Sequence, residues 1–167
     1  IQWATPLEFA LSTKDVWRCA LSTDSPNGGP FSKYPLVISW LMSKKQRSDW
    51  IEKSHRFVKD RSSLSDIGRE YTLTEIAIIT RSAPAKILGI HKAKGHLGIG
   101  ADADITVFDF QPDKTDLRNN PEKIIKYFSK SKYTFKNGEQ VCKNGTIGKH
   151  LSSRVISVHP ELSEERW

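Results

Sequence analysis

The sequence predicts an α/β unit followed by a small antiparallel β appendage, and three observations predict it. Residues 16–22 (VWRCALS) form a mostly apolar run that ends at a turn cluster, as a buried parallel strand does. Residues 34–90 carry apolar side chains at helical spacing, with proline and glycine where helices begin and end. Residues 133–147 hold two Asn-Gly pairs, at 137–138 and 144–145, between short alternating segments. Asn-Gly is the strongest local hairpin signal, because both turn residues must accept positive φ.

Taken in order, the chain opens on Ile1 rather than Met, and IQWATPLEFAL reads as the interior of something longer, such as a processed chain or a proteolytic piece. The run 16–22 then delivers Asp24 into a turn-rich stretch, SPNGGP. YPLVISWLMSKKQR (34–47) predicts a helix with Pro35 in its first turn, where a missing N–H costs little. Val37, Ile38, Trp40, Leu41 and Met42 cover too wide an arc for a surface helix, so it should be largely buried. Lys44, Lys45 and Arg47 would sit at its C-terminal end, where cations are favoured. DWIEKSHRFVKDR (49–61) predicts an amphipathic helix with Trp50, Ile51, Phe57 and Val58 as its apolar set.

Thr72 followed by Glu75 is a capping box, and Leu73, Ile76, Ala77 and Thr80 recur at helical spacing after it. Pro84 suits the start of a second short helix and Gly89 its stop. Beyond Gly89 the period changes: a glycine-rich stretch leads to a strand at Ile105–Phe108, then a polar loop, DKTDLRNNPEK, then the hairpins. Boundaries follow at 1–92, 93–150 and 151–167, the last an arm or docking segment.

The net charge of +7, from 26 Lys and Arg against 19 Asp and Glu, is scattered. No basic block carries interleaved aromatics, so nucleic acid is not the expected partner. Cys19 and Cys142 form no CxxC pair, which favours a reducing cytoplasm over a disulfide scaffold. No apolar run is long enough to span a bilayer, and Pro6 and Glu8 interrupt the first apolar residues, so no secretion signal is expected.

Asp24 in isolation is a turn residue, since Asp bonds its own backbone in turns. It is also the carboxylate at the end of the run 16–22. Asn27, Gly28 and Gly29 either let backbone approach a substrate closely or simply close a tight loop. Asp102 and Asp104 alternate with alanines at the entry to a strand, which favours a structural role; His96 reads as a loop residue, and Lys92 and Lys94 as solvated. Arg81 would either bind an anion or cap a helix end. The five histidines show no His-x-His and no ligand-like spacing with carboxylates.

Of three segments in order, STDSPNGGPFSKYPLVISWLMSKKQR (22–47), REYTLTEIAIITRSAPAKILGI (69–90) and KGHLGIGADADITVFD (94–109), the last two resemble the end of the metal-dependent amidohydrolases. All three in this order resemble the hydrolase subunits of formylmethanofuran dehydrogenases, with TDSPNGGPF at the start of the specific part, over residues 1 to 150 and only toward the C-terminal end of that longer subunit. The resemblance implies the last strand and helices of a (β/α)₈ TIM barrel plus part of a small β-sandwich. It places Asp24 at the C-terminal end of the eighth strand, touching one metal of a binuclear zinc site and shuttling a proton. It implies that formate and methanofuran condense there to N-formylmethanofuran, in archaeal methanogenesis or its reverse. The remaining N-terminal barrel would bring the other zinc ligands, so the chain alone should be inactive. Tungsto- or molybdopterin and Fe–S clusters would lie in partner subunits only. Also open are the related bacterial formyltransferase/hydrolase complex, another formamide or hydantoin-type hydrolase, and a non-catalytic interaction module.

Overall fold

The computed structural model describes residues 3–117, 119–152 and 155–158. Helix α1 (Ala4–Ser12) buries Ala4, Leu7 and Leu11, positions spaced three and four apart on one face. Helix α2 (Tyr34–Met42) starts with Pro35 as its sequence requires, and buries Val37, Ile38, Trp40, Leu41 and Met42 together. The expected continuation to Arg47 does not occur. Ser43 closes α2 in extended geometry, and its Oγ accepts the Gln46 N–H to open α3 (Lys44–Lys53). A second break at Ser54 leaves a single turn, α4 (Arg56–Lys59), so the amphipathic helix expected at 49–61 is divided.

Arg47, expected with Lys44 and Lys45 at the C-terminal end of the 34–47 helix, is fully buried. Its guanidinium donates to Trp40 O at 2.6 Å, Ile67 O at 2.9 Å and Arg69 O at 2.8 Å. One cation thus occupies the carbonyl end of α2 and also fastens the 67–71 segment to it. Burial pulls the Arg47 pKa down, and Glu70 opposes that shift.

The Thr72–Glu75 capping box is present: the Thr72 hydroxyl accepts the Glu75 N–H, and the Glu75 carboxylate accepts the Thr72 N–H at 2.7 Å. Helix α5 (Leu73–Ala77) then widens into a π-helical segment (Ile78–Ser82) before α6 (Ala83–Ile87), which Gly89 ends at φ +71°.

The β appendage is a four-stranded antiparallel meander, β1 (Ile105–Val107), β2 (Tyr133–Lys136), β3 (Glu139–Lys143) and β4 (Thr146–Ile147), in sequential order. Asn137 and Asn144 take φ +50°, with Gly138 and Gly145 at +81° and +74°, the backbone that both Asn-Gly pairs predicted. The polar loop before the hairpins is shorter than expected, because helix α7 (Pro121–Phe128) begins inside it. Asn120, Pro121 and Glu122 are a helix-start signal, with proline early and an acid in the first turn. α7 packs on α2 and buries Ile124 completely, so residues 117–128 join the helical core rather than the meander. Phe110 against Tyr127 (5.1 Å between ring centres) and Phe108 against Phe128 (4.9 Å) carry β1 across to that helix. Of the arm at 151–167, residues 153–154 and 159–167 lie outside the described residues. Among the described residues, no helix is long and apolar enough to cross a membrane.

Candidate functional site

The run expected to be a strand is not one among the described residues. Val16–Arg18 form a 3₁₀ turn, and Cys19 onward is extended (φ −111°, ψ 136°) without a neighbouring strand to complete a ladder. Extended backbone becomes a strand only when its N–H and C=O groups find a partner. One does: the Leu21 N–H donates to Ile79 O at 2.8 Å. That carbonyl is available for a chemical reason. Within the π-helical segment its partner would be the N–H five residues on, and residue 84 is proline, which has none. Tyr34 adds a second tether, its hydroxyl donating to Leu21 O at 3.4 Å.

The segment so held carries Thr23 inward, 1% exposed, and Asp24 outward into solvent. Asp24 sits at φ +49°, a left-handed conformation that Asp tolerates better than most residues. Its N–H donates to Ser22 Oγ at 3.2 Å and its carbonyl accepts the Gly28 N–H at 2.9 Å. Its carboxylate makes no hydrogen bond or ion pair among the described residues, and the residue is exposed. Asn27 is exposed beside it. Gly28 is required by space: a Cβ there would stand 2.7 Å from Thr23 O, closer than any real contact.

Gly28 and Gly29 also border a cavity of about 520 Å³ framed by Trp3, Trp40 and Trp50. Asp24 and Asn27 are not part of its lining. The four residues singled out in the sequence therefore share one loop but face two places.

Among the described residues, no three of His, Cys, Asp and Glu gather closely enough to hold a metal ion. The residues present therefore do not fit a zinc pair by themselves. His96 is a loop residue, its Nδ1 accepting the Gly98 N–H at 3.0 Å. Arg81 lies inside the continuous π-helical and α6 run rather than at a helix end, and donates to Thr80 O at 2.9 Å.

Asp102 and Asp104 build structure, and Lys94 is a correction to the sequence reading. It is not solvated: its ammonium bridges Asp102 at 2.7 Å and Asp104, with 18% of its side chain exposed. Lys136 reaches Asp104 Oδ2 at 2.6 Å, and the Asn137 N–H reaches Oδ1 at 2.9 Å. Hydrogen bonds to Asp102 and then Asp104 push Lys94 up to about 12. Burial alone would raise Asp104, but hydrogen bonds from Lys136, Lys94 and the Asn137 amide hold its carboxyl well below the usual carboxylate range. Because the folded pKa is depressed, Asp104 adds stability above about pH 4, the unfolded value, and that stability is lost as pH falls through the folded one. Acid titration of unfolding should therefore show Asp104→Asn with a flatter dependence than the parent below about pH 4. A parallel slope in both would remove the carboxylate from the account.

Comparison with known proteins places this geometry. The model of the amidohydrolase family matches residues 5–142. The chain is 44% identical over 166 residues, 99% of its length, to protein FwdA of Methanocaldococcus jannaschii. It is 37% identical over 161 residues, 96% of its length, to the A component of the formyltransferase/hydrolase complex Fhc of Methylorubrum extorquens. It superposes with a TM-score of 0.76 and 37% identity on a chain of the crystal structure of that organism's FhcABCD complex with methylofuran, covering 88% of the present chain and 25% of the other. The chain spans 28% and 27% of the lengths of the two relatives.

Proposed function

The chain belongs to the amidohydrolase family, and from that membership we propose that it forms part of the hydrolase subunit of a formylmethanofuran dehydrogenase. The proposed reaction condenses formate with the amine of methanofuran to N-formylmethanofuran, or runs in reverse. The observation that carries this reading is the match to FwdA, which runs through 99% of the chain and so includes the Asp24 loop. A binuclear zinc site, its ligands mostly outside these residues, would supply Lewis-acid polarisation. Pterin and Fe–S chemistry is assigned to partner subunits. The chain alone is then inactive.

Asp24 has a role that can be stated in atoms. The amine nitrogen attacks the carbon of formic acid and a C–N bond forms. Asp24 takes the proton that the nitrogen sheds and returns it to the departing hydroxyl, which leaves as water. An outward, unpaired carboxylate on a doubly tethered segment suits that task, because a general base must be free to accept and fixed in place.

The second reading keeps the chemistry and changes the acceptor, as the 37% identity to the bacterial relative allows. The assembled native complex should be assayed for formyl transfer to methanofuran, methylofuran and simple amines. Fastest turnover with methanofuran is expected. A preference for methylofuran would favour the second reading, and no formyl turnover with any amine would defeat both.

A further inference from the structure

The cleft beside Gly28 and Gly29 has the volume of a ligand site and mixes tryptophan surface with polar groups. Its 520 Å³ falls in the range of small-molecule pockets, which are mostly apolar with a few polar groups. Trp40 forms the floor, stacked on Trp50 at 4.4 Å between ring centres and tilted toward Trp3 at 6.4 Å. Trp50 and Trp3 are half-buried walls that present ring surface. The Trp40 indole N–H is buried and, among the described residues, has no hydrogen-bond partner. Such a group normally finds one.

The rim is cationic. Lys33 and Lys53 both line the cavity and are exposed, and neither pairs with a carboxylate among the described residues. Asp49 is the acidic residue of the lining, and Gln46 adds an amide. A flat group can stack against the tryptophans while anionic groups meet the two lysines. The 23–30 loop joins the two places: it carries Asp24 outward at one end and forms the cavity edge with Gly28 and Gly29.

We infer that this cavity is an anchoring subsite for the formyl acceptor, binding an anionic, partly flat portion remote from the reacting amine. The inference rests on the proposed formyl transfer, and it assigns to Lys33, Lys53 and Trp50 a role in holding the acceptor rather than in the chemistry. Gly28, where a Cβ would stand 2.7 Å from Thr23 O, keeps the loop closed between the Asp24 end and the cavity edge.

The test uses the assembled complex with the double variant Lys33→Gln, Lys53→Gln, and separately Trp50→Leu. Two exposed cations lost from a binding rim should raise KM for methanofuran about tenfold while kcat stays within about twofold. The parent KM should rise with ionic strength, and the double variant's should rise less. A truncated acceptor that keeps the amine and loses the remainder should show the same KM in parent and variants. Trp50→Leu supplies a second readout, weaker binding of methanofuran by equilibrium dialysis without turnover. Unchanged KM and unchanged binding in both variants, with formyl transfer intact, would overturn the subsite and leave the proposed reaction standing. Absence of formyl transfer in the parent would overturn the reaction itself.

Discussion

Asp24→Asn in the assembled complex should lower formyl condensation by roughly 10²–10⁴-fold, the range that a positioned general base contributes. The substitution isolates charge from shape. Asn accepts the left-handed backbone that Asp24 adopts, and the loop's Asp24 O to Gly28 N–H bond uses main chain only. KM for methanofuran should change little, since the carboxylate is assigned to proton transfer and the acceptor's grip lies elsewhere. Steady-state kinetics with an intact circular dichroism spectrum is the check. A variant that retains the parent's full rate would remove Asp24 from the mechanism.

Arg47→Met should destabilise the helical core by about 3–5 kcal/mol, because three carbonyls lose a donor and each buried acceptor left unsatisfied costs about 1–3 kcal/mol. Two effects compete. Methionine spares the desolvation of a guanidinium, which favours the variant. Against that, Ile67 O and Arg69 O lose their donor where little water can replace it, and Trp40 O loses its closest one. The Lys44 N–H, which would otherwise cap the Trp40 carbonyl, is already committed to Glu70 Oε1 at 2.7 Å. The loss of several donors outweighs the relief of one cation. For a chain of this size the thermal midpoint should drop by roughly 6–20 °C. Arg47→Lys should fall between, because one ammonium lacks the fork that spans two segments. An Arg47→Met protein that melts with the parent would show the carbonyls to be satisfied some other way.

These two residues mark what the sequence could and could not disclose. The Asn-Gly turns, the Thr72–Glu75 box and the all-round burial of α2 were legible because each is decided within a few residues. The burial of Arg47 and the pairing of Lys94 were not legible, for the opposite reason. A charge is buried when distant groups converge on it, and the carbonyls of Ile67 and Arg69 lie 20 and 22 residues from Arg47. Lys94 meets Asp104 and, through it, Lys136 across a hairpin, which no local pattern encodes. The helix at Pro121 carried a readable start signal that the surrounding polar residues obscured. The strand expected at 16–22 had the right composition, but a strand is a relation between segments, and no neighbouring segment pairs with it among the described residues. Asp24 and Gly28 were legible as a loop; the tryptophan cavity was not, because Trp3, Trp40 and Trp50 come from three separate helical contexts.

The carbonyl of Ile79 gives the loop's geometry an unusual origin. Here the setting comes from a hydrogen atom that does not exist, the amide proton that Pro84 lacks. Because that proton is missing, a helix has one acceptor to spare, and it lends it to Leu21, three residues ahead of the carboxylate. Restoring the proton with Pro84→Ala would give the Ile79 carbonyl a second donor to compete with the Leu21 N–H, so a change inside a helix would loosen the loop that carries Asp24.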